Sequence, residues 1–265
     1  MSLCKKLQER LGILALAFLL ALGACGGGGG DAGGGTTVAT GGGTGGTGVS
    51  VLSEGVMAVG SVIVNGVRFD DSAATVTIDD TTRPRGELKD GMVVKVLGTL
   101  NADNVTGTAI RVEVENEARG TVQSINSTAA PPFFTVLGQR VLVDDTTVVA
   151  NIAGATPAQR VASLVAGASF VEVHGQRDAS GVIHASRVEL FGGTALGDEL
   201  RGTVGSLGAT TFVLNGVTVN FGGATITPSG ATLANGVPVE VHGSFAGGVF
   251  TATRVDREDL EDAAF

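Results

Sequence analysis

The chain has 265 residues, and its 26 acidic and 17 basic residues give a net charge of −9. An acidic surface repels phosphate backbones, and the absence of Trp and Tyr removes the usual stacking platforms, so nucleic acid is not expected as a partner. The two cysteines, Cys4 and Cys25, both lie near the N-terminus, which leaves the rest of the chain without a disulfide, a Cys-based metal site or a Cys nucleophile.

The N-terminus has the pattern of a secretory signal. Three basic residues stand among the first ten, and an apolar run from Leu11 to Leu22 follows. This run is too short for a membrane-spanning helix, which needs about 20 residues. We therefore predict that residues 1–24 are a signal peptide that is cleaved off.

The signal ends in a four-residue motif, Leu22-Gly23-Ala24-Cys25, which resembles the lipobox of bacterial lipoproteins. The resemblance implies that Cys25 becomes the new N-terminus and carries a diacylglycerol and a third acyl chain. Two or more acyl chains anchor a protein stably to a lipid membrane. Gly26, in place of Asp, resembles the class destined for the outer membrane, so we expect a cell-envelope location at the outer rather than the inner membrane. A secreted protein with an incidental Cys25 is the alternative.

A glycine-rich linker follows, and with the lipidated cysteine it spans residues 25–52. Between Cys25 and Val49, 14 of 23 residues are Gly. Such a composition cannot build a core, which predicts a flexible tether. The chain without its signal has 14 basic and 25 acidic residues, for a net charge of −11.

The rest of the chain repeats one pattern of short apolar segments three times. Each copy contains an alternating hairpin, then a Leu and a Gly separated by two residues, then a strand that ends in Gly, and then a last strand. The copies are repeat 1 (residues 53–116), repeat 2 (117–192) and repeat 3 (199–257). Residues 258–265 are expected to form a solvated acidic tail.

The repeats predict an all-β protein. Period-two alternation marks half-buried strands, and Asn65-Gly66 and Asn215-Gly216 are typical of type I′ hairpin turns. The Gly that ends the fourth strand predicts a bulge or tight turn at a barrel corner. Five or six short strands without a long helix indicate three tandem small β-barrels that are OB-like, with a sandwich as the alternative.

The repeated pattern resembles the DUF5666 family, exported bacterial proteins built from tandem β-domains. The segments 60–69 and 90–96 carry the likeness most strongly, and it extends over about residues 53–257. The resemblance implies the fold and its topology. It implies no activity, because the family is one of unknown function.

Two sets of side chains are candidate metal ligands. His174 and His184 would lie opposite each other if the last two strands of repeat 2 pair around residues 178–181, and they could then share a metal. Carboxylates recur after a strand in repeats 1 and 2, where they could bind calcium. These carboxylates are Asp79, Asp80, Asp144 and Asp145.

Simpler interpretations favour no metal and no cofactor. The histidine pair occurs in one repeat only, so surface or turn-bonding histidines are expected. The Asp-Asp-Thr-Thr segments are typical of turns. No phosphate-binding loop or nucleophile elbow is present in the sequence.

We therefore expect a protein that is not an enzyme and has no catalytic residues. Its expected role is that of a membrane-anchored envelope lipoprotein that presents tandem β-domains to another envelope protein or has a structural role. A binding module for a small ligand or a divalent cation is the alternative.

Overall fold

The structure is a computed structural model that describes residues 49–58, 62–192 and 196–258. The predicted signal, lipobox and most of the tether lie outside the described residues, so Cys25 and residues 22–24 have no structural account. Within the described ranges the chain is all-β, with one α-helix of six residues, which confirms the predicted fold class. No helix of this part of the chain is long and apolar enough to span a membrane.

The three repeats contain equivalent strands in the same order. In repeat 1 these are β1 (Val49–Val56), β2 (Val62–Val64), β3 (Val67–Asp70), β4 (Thr75–Ile78), β5 (Thr81–Thr82), β6 (Val93–Leu100) and β7 (Thr106–Glu115), with a 3-10 turn at Arg85–Glu87. In repeat 2 they are β8 (Ala118–Asn126), β9 (Phe133–Val136), β10 (Gln139–Leu142), β11 (Val148–Ala150), β12 (Phe170–Arg177) and β13 (Ile183–Phe191), with helix α1 (Pro157–Ala162) before β12. In repeat 3 they are β14 (Asp198–Gly205), β15 (Thr211–Leu214), β16 (Val217–Asn220), β17 (Thr225–Thr227), β18 (Pro238–Ala246) and β19 (Val249–Arg257).

Five strands of repeat 2 close into a barrel. Strand β8 pairs with β9, β9 with β10, β10 with β13 in parallel, β13 with β12, and β12 again with β8. Repeat 3 closes through the equivalent pairs. This is the Greek-key order of a small OB-like barrel, and it confirms the barrel prediction.

Repeat 1 follows the same order from β1 through β6, β7 and β3 to β2. Its β1 and β2 sides meet through Asn65, whose Nδ2 donates a hydrogen bond of 2.9 Å to the Glu54 carbonyl. In repeat 3 the Nδ2 of Asn215 donates to the Arg201 carbonyl over 2.7 Å in the same way. The asparagines that permit the hairpin turn therefore also bind the first strand of their own barrel.

The predicted turns and bulges are confirmed. Asn65 and Gly66 have φ values of 52° and 81°, and Asn215 and Gly216 have 49° and 83°, as a type I′ turn requires. The strand that was predicted to end in Gly is β6, β12 or β18, and its register with the following strand shifts immediately before that glycine in every repeat. These glycines are Gly98, Gly175 and Gly243.

The apolar side chains form two clusters. One lies inside repeat 1 and includes Phe69 and Val112. The other contains buried residues of both repeat 2 and repeat 3, such as Phe134, Leu200 and Phe250. Repeats 2 and 3 are also joined by an antiparallel pairing of β8 with β14, so their strands form one 12-stranded sheet, whereas repeat 1 has its own 7-stranded sheet.

Candidate functional site at the polar junction of the barrels

Charged side chains occupy the same outward position on the equivalent strands β6, β12 and β18. Lys95, Glu172 and Glu240 are each flanked by buried valines, as strand alternation predicts for a face opposite the core. They do not face solvent, however. Lys95 and Glu172 are 8% and 7% exposed, because the polar faces of the three barrels meet.

We call this polar cluster the junction. It consists of Lys95, Glu115, Asn116, Arg119, Glu172, Glu199, Arg201, Glu240, His242 and Asp256, with Glu54, Asp79, Asp80, Arg254 and Glu258 at its edge.

The cross-strand pairs of the junction are reversed in repeat 1. Repeats 2 and 3 place an arginine of the first strand opposite a glutamate, Arg119 opposite Glu172 and Arg201 opposite Glu240. Repeat 1 instead places Glu54 opposite Lys95. With its acidic and basic positions exchanged, repeat 1 can form ion pairs with repeats 2 and 3. A third copy with the same arrangement as the other two would bring like charges together.

Arg119 binds one carboxylate from each repeat. Its Nη1 is 2.6 Å from Asp79 Oδ1 of repeat 1 and 3.4 Å from Glu172 Oε2 of repeat 2. Its Nη2 is 2.5 Å from Glu199 Oε2 of repeat 3. Since burial would lower the pKa of Arg119 and the carboxylates nonetheless raise it, the side chain stays charged.

Repeat 1 is also bound to repeat 3 through two other cations. Arg201 Nε lies 2.9 Å from Glu115 Oε2. Lys95 Nζ lies 2.9 Å from Glu115 Oε1 and 3.0 Å from Glu258 Oε2. Glu258, the first residue of the predicted acidic tail, thus contacts Lys95 at the edge of the junction, and the rest of the tail lies outside the described residues.

His242 is surrounded by carboxylates. Its Nε2 lies 2.9 Å from Asp256 Oδ2 and 3.5 Å from Glu240 Oε2, and its Nδ1 lies 3.4 Å from Glu199 Oε2. Although burial opposes charge on the ring, hydrogen bonds to Asp256, Glu199 and Glu240 raise the pKa of His242 to about 11. The ring is therefore a cation that partly neutralises this group of acids.

The carboxylates beside His242 titrate in opposite directions. Burial raises the pKa of Glu240 well above its ordinary value. Burial also opposes charge on Glu199, but hydrogen bonds to His242 and Glu240 and the charge of Arg119 hold its pKa down to about 2. Glu240 is consequently the member of this pair that retains a proton.

A cavity of about 240 Å³ opens at the junction between repeats 1 and 3. Seven acidic and three basic side chains line it, so the wall carries an excess of negative charge. Asn116 is part of the wall and is 5% exposed; its Nδ2 donates to Glu199, and its Oδ1 has no hydrogen-bond partner among the described residues.

The histidines predicted as a pair are not opposite each other. His184 lies opposite Gln176, and His174 lies opposite Arg187. The turn pairs Arg177 with Ile183, which by itself sets His174 two residues beyond His184, and the bulge before Gly175 shifts its partner by one further residue. His174 is fully buried, with Nδ1 2.7 Å from the Glu115 carbonyl and Nε2 3.0 Å from Glu172. Both of its ring nitrogens are therefore occupied. His184 is exposed and contacts Asp178 over 3.2 Å, as expected of a turn-bonding histidine.

The four candidate aspartates separate into two locations. Asp79 and Asp80 reach the junction, where Asp80 Oδ2 lies 2.5 Å from Arg254 Nη2. Asp144 instead accepts hydrogen bonds from the backbone and hydroxyl of Thr146, in the turn geometry that the simpler interpretation predicted. Asp145 is exposed in the same turn.

Four possible ligand atoms, one from each of Asp80, Glu240, His242 and Asp256, lie within 4.8 Å of one another. Of the six candidate ligands from the sequence, this cluster includes one, Asp80. His242 was missed because it stands on a strand like any surface residue. The available signal was a pattern shared by repeats 2 and 3. His242 stands at the position of His174, and each histidine follows a glutamate by two residues, on the same face of its strand.

The sequence matches the family described as Domain of unknown function (DUF5666) in three tandem regions, residues 50–113, 119–189 and 201–256. The chain belongs to this family. A search of the curated proteins finds no match. Among solved structures, the chain is similar to Drosophila Unr CSD456, at 10% identity and a TM-score of 0.22, over 81% of this chain and 100% of that one.

Proposed function

We propose that this DUF5666 protein is a lipid-anchored envelope protein whose three barrels act as one interaction or structural unit, without enzymatic activity. The anchor part of the proposal is supported by the order of basic start, apolar run, small residues and Cys25. The glycine-rich tether would hold the barrels away from the membrane.

The observation that carries the interaction part is the internal pairing of the junction. The described residues belong to one compact unit, and many buried charges of the barrels bind one another there. A body that uses its polar faces for its own assembly presents its loops and outer strands to partners. We expect the partner to be another envelope protein.

Exposed apolar side chains indicate where a partner would bind. Val105 and Ile110, on the β6–β7 hairpin of repeat 1, are 57% and 50% exposed. The described residues of the equivalent β12–β13 hairpin in repeat 2 include no exposed large apolar side chain. Repeat 1 thus offers an apolar hairpin that repeat 2 lacks.

The anchor is tested by Cys25→Ser. We expect the wild-type chain in the membrane fraction and labelled by a fatty-acid analogue, and the variant in the soluble fraction without label. An unchanged membrane fraction for Cys25→Ser would contradict lipid anchoring.

The interaction is tested by crosslinking in intact cells, with a photoreactive probe on a cysteine introduced at position 105. Val105→Cys should give a discrete adduct with another envelope protein, whereas Ala179→Cys, in the equivalent turn of repeat 2, serves as the matched control. Recovery of the protein alone from both variants, or the same adducts from both, would contradict a partner at this hairpin.

A further inference from the structure

The cluster of Asp80, Glu240, His242 and Asp256 brings side chains of two barrels to one point. Asp80 follows β4 of repeat 1, whereas the other three lie on β18 and β19 of repeat 3. One imidazole with three carboxylates is a donor set suited to first-row divalent cations such as Zn²⁺.

The four ligand atoms are near enough to one another to close around such an ion. They lie within 4.8 Å of one another. The ligands of a tetrahedral Zn²⁺ ion are about 3.4 Å apart, given metal–ligand distances of about 2.1 Å. Ligand atoms at the upper end of that range would need to approach by about 1.4 Å, and Asp80, with a side chain that is 53% exposed, has room to move.

The contacts of His242 Nε2 conflict with one another. This nitrogen lies 2.8 Å from Arg254 Nη2, a donor, and 2.9 Å from Asp256 Oδ2, an acceptor. A ring nitrogen carries either a proton or a lone pair, so one of the two contacts is unfavourable in each protonation state. A divalent cation would displace the Nε2 proton of the charged ring, bind the lone pair that the proton leaves and attract Asp256, and Arg254, which is 39% exposed, could move into solvent.

The other ring nitrogen has the environment of a metal-bound histidine. Nδ1 faces Glu199 Oε2 at 3.4 Å, and Glu199 is 1% exposed and fixed by Arg119. Metal-binding histidines usually donate their second N–H to such a carboxylate, which orients the ring. Asn116, which donates to Glu199, lines the same cavity as Asp80 and Glu240, and its buried Oδ1 has no hydrogen-bond partner among the described residues.

We propose that Asp80, Glu240, His242 and Asp256 form a binding site for a divalent transition-metal cation of the Zn²⁺ type, and that the ion fastens repeat 1 to repeat 3. The bound ion replaces the guanidinium of Arg254 as the positive charge that neutralises Asp80 and Asp256. The site does not depend on the anchor or on a protein partner, so the membrane and crosslinking experiments leave its test unaffected.

The test is calorimetric titration of the full-length protein, stripped of metal with a chelator, with ZnCl₂. We expect one saturable site that is absent in His242→Gln and at least tenfold weaker in Asp80→Asn, since even the loss of an outer partner weakens metal binding about 10- to 100-fold. His184→Gln removes an exposed histidine that contacts an aspartate, and it should leave the site unchanged. Equal Zn²⁺ binding by wild type and His242→Gln, or no saturable binding, would overturn the proposal.

Two further variants and a second ion keep the test decisive if His242→Gln fails to fold. Asp80→Asn changes an exposed side chain, so its effect on binding can be measured in a folded protein. Arg254→Ala should bind Zn²⁺ more tightly than wild type, because the competing cation is gone; weaker or unchanged binding would contradict the proposed exchange. Calcium at the same concentration should bind more weakly than Zn²⁺, and equal binding would contradict a role for His242.

Discussion

Repeats 2 and 3 are joined differently from repeat 1. The first two share an apolar cluster and a continuous sheet, in which Leu200 lies opposite Ala118. Repeat 1 keeps its own cluster and meets the others through ion pairs, hydrogen bonds and a glycine contact. Apolar burial is non-directional and tolerates adjustment, whereas buried ion pairs require both partners in place. The difference predicts that repeat 1 can be separated from the rest by changing single charges.

The largest effect is expected from Arg119→Met, which removes the cation shared by all three repeats. Glu199, at 1% exposed, would lose its close cationic partner. Breaking a buried pair in this way lowers the free energy of unfolding by about 3–5 kcal/mol. Denaturant titration of wild type and Arg119→Met measures this loss in the free energy of unfolding.

Arg111→Met is the matched control, because Arg111 is 39% exposed and pairs with Glu113 within its own repeat. A surface pair of this kind contributes about 0–1 kcal/mol. Equal losses for the two variants would show that the junction is no more important to stability than the surface.

A smaller effect is expected from Gly91→Ala, where repeat 1 touches repeat 2. An added Cβ would lie 2.6 Å from the Ser186 carbonyl oxygen, and the backbone has a φ of 81°. The left-handed conformation costs about 1–2 kcal/mol, and overpacking adds about 1–3 kcal/mol.

Gly167→Ala is the matched control, since it has a φ of 79° and nothing within 4 Å of the added Cβ. Only Gly91→Ala should increase amide exchange at the contact between repeats 1 and 2. The same exchange pattern in both variants would mean that the contact does not hold the repeats together.

The smallest effect is confined to high pH and concerns Lys95. Burial would lower the pKa of Lys95, but Glu115 and Glu258 raise it above the ordinary 10.5. A group with a raised pKa stabilises the fold below its unfolded value and loses that contribution as the pH rises through the folded value. The stability difference between wild type and Lys95→Met should therefore be constant from neutral pH to about pH 10 and shrink above it. Thermal melts across this range measure the difference, and a constant difference would contradict the pairing.

Local rules were sufficient to predict the barrels. Asn65-Gly66 specified its turn, and Gly98 specified its bulge, because both are decided by backbone geometry within a few residues. The equivalent turn in repeat 2 has Leu137 at φ 49°, an unusual residue there, followed by Gly138.

The junction could not be predicted in the same way. Alternation assigns Lys95 and Glu172 to an outer face, and only the packing of whole barrels decides whether that face meets water or another barrel. The reversed pair of Glu54 and Lys95 was the sequence signal, since three identical copies would repel one another. The histidines illustrate the same limit, because the register of their hairpin, with Arg177 opposite Ile183, places His184 away from His174.

The most direct test of this account is native-state hydrogen exchange measured along the whole chain. We predict two levels of protection: the strands of repeats 2 and 3 should open together with the highest free energy, and those of repeat 1 should open separately at a lower one. A single level shared by all three repeats, or separate opening of repeats 2 and 3, would contradict the polar attachment of repeat 1.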